Sequence, residues 1–169
     1  MKKLIFIPLM LFAVNAALFA QASATATATA VIVGPIGISN TANMNFGNVA
    51  VGATGGTVIL EPSTTAGRTA TGGVTLPATT GTVAAAAFTV TGVAGYTYAI
   101  TLPSAALTIS SGANSMTVDN WTSNPTPTGT LDGGGSQTLW VGATLHVSGS
   151  QAAGTYTSAT PFTVTVNYN

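Results

Sequence analysis

The chain is long enough for one domain and carries almost no charge. Its 169 residues include three basic and three acidic residues, so 4% are charged, whereas an average soluble domain has about 25%. Contacts with nucleic-acid phosphates need several Lys or Arg side chains, and so does a basic membrane-surface module. These counts argue against a nucleic-acid binder, a basic membrane-surface module and a cytosolic enzyme.

The N-terminus has the pattern of an export signal. Two lysines precede an apolar run over residues 4–19, and the small residues Ala20 and Ala22 flank one variable position, as a signal peptidase requires. We therefore expect a signal peptide at residues 1–22, a domain at residues 23–169, and export to the periplasm, the cell surface or the medium. No second long apolar run follows, so the mature chain is expected to have no membrane-spanning helix.

Apolar residues alternate with Thr along most of the remaining chain, which predicts β-strands. In chain order, the clearest strands are predicted at residues 24–33, 87–91, 96–102, 139–147 and 162–168. Shorter candidates lie at residues 57–60, 74–76, 107–110 and 116–121. Clusters of Gly, Pro, Asn and Ser separate them, and no window has helical spacing. The pattern predicts an all-β chain that forms a single immunoglobulin-like antiparallel β-sandwich.

Residues that could carry catalysis or bind a metal are few and scattered. His146 is the single imidazole, and a catalytic triad would need Asp119 or Asp132 beside it together with an activated Ser. There is no Gly-x-Ser-x-Gly motif and no Asp-x-Asp-x-Asp run, and both Asp residues have neighbours typical of turns. We expect no enzyme activity, no cofactor and no metal site.

Aromatic side chains offer a second kind of site. Trp140 shares the polar side of its predicted strand with His146, and Trp121 ends a short strand, so either indole is a candidate platform for a sugar ring. Packing in the core or at an interface is the alternative role for both indoles. Tyr96 and Tyr98 share a predicted strand face with Ile100, and both are expected in the core.

The two ends of the mature chain have the clearest alternation. Residues 24–30 alternate Ala with Thr, and the closing strand places its apolar residues on one face: Phe162, Val164, Val166 and Tyr168. A terminal strand without a partner in its own domain leaves an open edge that can accept another strand. Either residues 23–33 are donated to another subunit, or they form the first strand of their own domain.

Three short motifs carry a family resemblance: Asn-Phe-Gly-Asn at residues 45–48, Gly-Thr-Tyr-Thr at residues 154–157, and the closing strand. Together they resemble a family of short exported domains of unknown function from Gram-negative bacteria. That family is similar in turn to spore-coat-U and chaperone–usher fimbrial domains. The resemblance implies an incomplete sandwich that is completed by an N-terminal extension of the next subunit. It also implies that Tyr168 matches the penultimate aromatic residue of the closing pilin strand.

These observations predict an exported structural or adhesive cell-surface or fimbrial-type subunit that assembles through β-strands. Its expected assembly residues are those of the closing strand, and its expected partners are other copies, related surface subunits and a periplasmic chaperone. The alternative is a secreted carbohydrate-binding module that uses Trp140 or Trp121 to bind a glycan.

Overall fold

The computed structural model describes residues 21–169, so most of the predicted export signal lies outside the described residues. Two units are described separately: residues 21–32, and residues Val33–Asn169. Residues 21–32 have no regular secondary structure, and all their side chains are exposed. The prediction of a strand at residues 24–33 is therefore wrong. Its alternating Ala side chains would bury little apolar area, which gives that segment little to gain from pairing.

The described chain is all-β, with twelve strands, all of whose pairs are antiparallel. The strands are β1 (Gly37–Ala42), β2 (Asn45–Phe46), β3 (Ala50–Leu60), β4 (Arg68–Thr75), β5 (Val83–Ala84), β6 (Ala86–Thr91), β7 (Thr97–Thr101), β8 (Leu107–Ser111), β9 (Asn114–Asn124), β10 (Thr128–Thr130), β11 (Ser136–Val147) and β12 (Thr165–Tyr168). The closing strand is shorter than predicted, because residues 162–164 precede its ladder.

The longest strand, β11, organises the seven-stranded sheet. Along one edge it pairs first with β6, over Ser136–Val141, and then with β3, over Ala143–Val147. Its other edge pairs with β9 over Trp140–His146. The strands β1, β4 and β8 extend the sheet outward from β6, β3 and β9.

Two smaller sheets complete the fold. One has the order β10-β7-β12, and the other is the short pair of β2 and β5. The antiparallel sheets curl into a half-barrel, which is consistent with the predicted β-sandwich. No helix in the described residues is long and apolar enough to cross a membrane.

The inward side chains of these sheets form three apolar clusters. The first joins β6, β11 and β12 and contains Tyr98, which is fully buried and donates its hydroxyl to Gln137 Oε1 at 2.7 Å. The second joins β3, β9 and the last half of β11, and the third is small and surrounds Leu60. The prediction that Tyr96 lies in the core is wrong. This residue precedes β7, is 44% exposed, and contacts the edge of the Tyr168 ring.

Candidate assembly groove

A long groove opens onto the second apolar cluster. It has a volume of about 1170 Å³ and lies between residues 43–51 on one side and residues 151–162 on the other. We call this feature the assembly groove. Its floor consists of inward-facing side chains of β8, β9 and β11: Leu107, Ile109, Met116, Val118, Leu145 and Val147. None of the four charged residues between positions 23 and 169 lines it, so the floor favours an uncharged, apolar occupant.

The first wall, residues 43–51, is attached to the rest of the domain at several points. Arg68 extends its guanidinium beneath this wall and donates through Nη1 to the carbonyl oxygens of Phe46 and Asn48, the latter at 3.0 Å. Asn48 in turn donates its backbone N–H to Thr80 O at 2.7 Å. Gly47 allows this path because its φ is +66°.

The second wall, residues 151–162, follows β11, and Gln151 ties it to β9 by donating its Nε2 to Ser115 O at 3.2 Å. Its one ladder contact is a bridge in which Ser110 and Thr157 exchange backbone hydrogen bonds of 2.9 and 3.1 Å. The Tyr156 hydroxyl donates to Ala152 O at 2.7 Å and accepts from Gln151 Nε2 at 2.9 Å. This wall therefore makes few backbone contacts with the sheet.

The predicted closing-strand residues lie in three different settings. Phe162 lines the end of the groove. Its ring packs on the Trp121 ring with centroids 4.5 Å apart, and it forms a T-shaped pair with the Phe88 ring, with centroids 6.3 Å apart. The side chains of Val164 and Val166 are buried in the first cluster. The hydroxyl of Tyr168 accepts a hydrogen bond from the backbone N–H of Val93 at 2.7 Å.

The strand β12 has one paired edge and one free edge in the described chain. It pairs only with β7, and Asn169 continues that pairing by donating its N–H to Thr97 O at 3.3 Å. Alternate residues of a strand direct their backbone groups to opposite sides. The backbone groups of Val166 and Tyr168 are therefore directed toward the free edge, where a further strand could pair.

The remaining residues proposed from the sequence are placed as follows. Trp140 is half-buried and packs against the third cluster. Asp132 has the predicted turn role, since its Oδ1 accepts hydrogen bonds from two backbone N–H groups of its own turn, at 2.8 and 2.9 Å. Asp119 lies within β9 instead of a turn, and its Oδ1 is 2.7 Å from Nε2 of His146. Residues 21–169 contain no group of three metal-ligating side chains.

The sequence did not predict the groove or the contacts that Arg68 makes beside it. The alternation of β8 and β9 marked their inward residues as apolar, but it could not show that part of this apolar face is left uncovered. A lone Arg gives no pattern that would predict its bonds to two distant carbonyls. The Gly in the Asn-Phe-Gly-Asn motif was the one available signal for the turn in the first wall.

Fold and groove together define an all-β domain of antiparallel sheets with an open apolar groove and an exposed N-terminal segment. A family model described as Domain of unknown function (DUF4402) matches residues 36–168, and the chain belongs to this family. The matched range includes all twelve strands and both walls of the groove. No curated protein and no solved structure matches the chain.

Proposed function

We propose that the protein is an exported structural or adhesive cell-surface subunit, of fimbrial type, that assembles with copies of itself through β-strand addition. The observation that carries this proposal is the assembly groove, an uncharged opening of about 1170 Å³ over the apolar floor of a seven-stranded sheet. An open apolar face of this kind favours a further strand or peptide that would cover it.

The proposed occupant is the N-terminal segment of a second copy. Val31 and Ile32 are 84% and 96% exposed, so both side chains are free to transfer their apolar surface into a groove. Burying a side chain of this size contributes about 1.5–3 kcal/mol. The Ala residues that precede them contribute less, so Val31 and Ile32 are the expected anchors of the donated segment.

Charge does not oppose such assembly. Residues 23–36 carry no charged side chain, and neither does the lining of the groove. Two nearly neutral surfaces approach each other without the repulsion that keeps highly charged proteins monomeric. The low charge of the whole chain therefore supports an assembling subunit, and the pattern of the first 22 residues supports export.

The test compares assemblies from cells that express the full chain with assemblies from three variants. In the unaltered protein we expect denaturant-resistant ladders or filaments in cell-surface fractions. Deletion of residues 23–33 and the single substitution Ile32→Asp should both abolish them. Thr27→Asp is the matched control, because it places the same charge at another exposed position of the segment. Filament yield by electron microscopy and particle mass by light scattering are the measurements.

Two outcomes contradict the proposal. A monomer whose mass and unfolding midpoint are unchanged by the deletion would remove strand-mediated assembly. A mature product that begins at Met1 and stays in the cytosol would remove export, whereas an N-terminus at Ser23 in the periplasm or the medium is expected.

A further inference from the structure

A second, smaller cleft lies where β9 is distorted by a β-bulge. At this point Ala143 of β11 lies opposite two residues of β9, Asn120 and Trp121. Asn120 has φ +48°, a left-handed conformation that accommodates the extra residue. Because one extra residue shifts the alternation of the strand, Trp121 faces the apolar clusters while Asp119 points outward beside His146.

The indole of Trp121 is fixed from two directions. Its ring packs on the Phe162 ring, with the two centroids 4.5 Å apart and an interplanar angle of 38°. Its Nε1 donates to Ala105 O at 3.2 Å. Trp121 is half-buried and borders a cleft of about 400 Å³ that is otherwise lined by Pro103–Ala106 and the two residues before Trp121.

The polar groups of this cleft have hydrogen-bonding capacity that the protein itself leaves unfilled. The carboxylate of Asp119 is oriented by His146, since Oδ1 and Nε2 are 2.7 Å apart and both side chains remain exposed, at 35% and 44%. Within residues 21–169, Asp119 Oδ2 and the Asn120 amide make no hydrogen bond. The hydroxyl of Ser104 is at an exposed position on the opposite side of the lining.

We propose that this cleft binds a neutral saccharide. A sugar ring combines an apolar C–H face, which suits contact with the half-buried Trp121 at the border of the cleft, with hydroxyl groups that both donate and accept. The carboxylate of Asp119 accepts from such hydroxyls, and the Asn120 amide both accepts and donates. The carboxylate disfavours an anionic sugar, because the two negative charges would repel each other. A few positioned polar groups beside an apolar surface are typical of small-ligand sites.

The polar groups of this cleft lie on β9 and the 103–106 loop, outside the lining of the assembly groove. The cleft and the groove are in contact where Trp121 packs on Phe162. The probes are methyl glycosides of glucose, galactose, mannose and N-acetylglucosamine, with sialic acid as the anionic comparison, each at tens of millimolar. The readouts are saturation-transfer NMR on the unaltered protein and Trp emission in a Trp140→Phe variant. The chain has two Trp residues, so emission in that variant reports on Trp121 alone.

At least one neutral glycoside should bind, and sialic acid should not. Asp119→Asn and Asn120→Gly should each weaken binding roughly tenfold, which corresponds to about 1.4 kcal/mol. Gly suits position 120 because it adopts positive φ without strain. Asp132→Asn is the matched control: it removes the same charge outside the cleft and should leave binding unchanged. An absence of binding by every neutral glycoside overturns the proposal, and so does binding that both cleft variants retain or that the control loses equally.

Discussion

The two walls of the assembly groove both lack charged residues but are held in different ways. The first wall, residues 43–51, is joined to the domain by the Arg68 guanidinium, by the Asn48 backbone and by the β2–β5 pair. In the described part of the chain, the second wall, residues 151–162, has a single backbone bridge to the sheet, and the Gln151 side chain adds one hydrogen bond to Ser115 O. Segments with few backbone hydrogen bonds to a sheet open locally at a lower free-energy cost.

This difference indicates how a strand could enter the groove. We therefore expect the first wall to stay in place and the second to open more readily, since none of the β11 pairings in the described chain involves residues 151–162. Insertion of a donated segment would then replace the Ser110–Thr157 bridge with a longer set of backbone bonds along β8. The following predictions alter one wall or the other and compare the results.

The largest effect is expected at Gly47 in the first wall. A Cβ at this position would collide with the carbonyl oxygen of Thr80, and the φ of +66° is unfavourable for Ala. Gly47→Ala should lower the free energy of unfolding by about 2–4 kcal/mol, measured by urea denaturation. Gly52→Ala is the control, because nothing lies within 4 Å of its added Cβ. Equal losses in the two variants would contradict a fixed first wall.

A somewhat smaller effect is expected at Arg68. Arg68→Ala leaves the carbonyls of Phe46 and Asn48 without their charged donor, which should cost about 1.5–3 kcal/mol in unfolding free energy. Arg68→Lys keeps one charged donor and should recover part of this loss. Hydrogen exchange should show faster exchange in residues 43–51 than in β11. A uniform change across both regions would contradict a local role for the guanidinium.

Strand positions on the central sheet could be predicted from the sequence because their alternation coincides with burial. Val58, Val118 and Leu145 are all buried, as their spacing required. The all-β class followed from the same alternation together with the Gly and Pro clusters. Alternation failed for residues 24–33, since a period of two describes a strand only where a partner strand and a core are available.

The candidate sites were less accessible to sequence reasoning. Trp121 was singled out for its chemistry, yet its orientation depends on a bulge at Asn120 that an ordinary Asp-Asn-Trp stretch does not indicate. The groove depends on which strands fail to cover an apolar face, and this is decided by long-range pairing. Phe162 illustrates both points, because it was predicted as part of a regular strand but lies before β12 and contacts Trp121 and Phe88.

In the second wall we expect a smaller and more local effect. Tyr156→Phe removes a hydroxyl that donates to Ala152 O and accepts from Gln151, so the free energy of unfolding should fall by about 0.5–1.5 kcal/mol. Hydrogen exchange should accelerate mainly in residues 151–157. Tyr96→Phe is the matched control, because the Tyr96 ring is 44% exposed, and its effect should be near zero. A larger loss than for Arg68→Ala would reverse the proposed ranking of the two walls.

At Tyr98, a buried residue of the first cluster that does not line the groove, we expect an effect of ionisation that appears only at alkaline pH. Burial raises the pKa of the Tyr98 phenol above its ordinary value of 10.0. The folded protein therefore holds this proton more tightly than the unfolded chain does. Its contribution to stability is complete below pH 10.0 and is lost as the pH rises through the folded-state pKa.

As the pH rises above 10.0, the urea midpoint should therefore fall more steeply with pH for the unaltered protein than for Tyr98→Phe. The variant has no phenol to ionise, although it is less stable at neutral pH because the bond to Gln137 is lost. Identical slopes in the two proteins would show that the Tyr98 hydroxyl has solvent access in the folded state. The first cluster would then be open to water at Tyr98, and the burial that raises the pKa of its phenol would be absent.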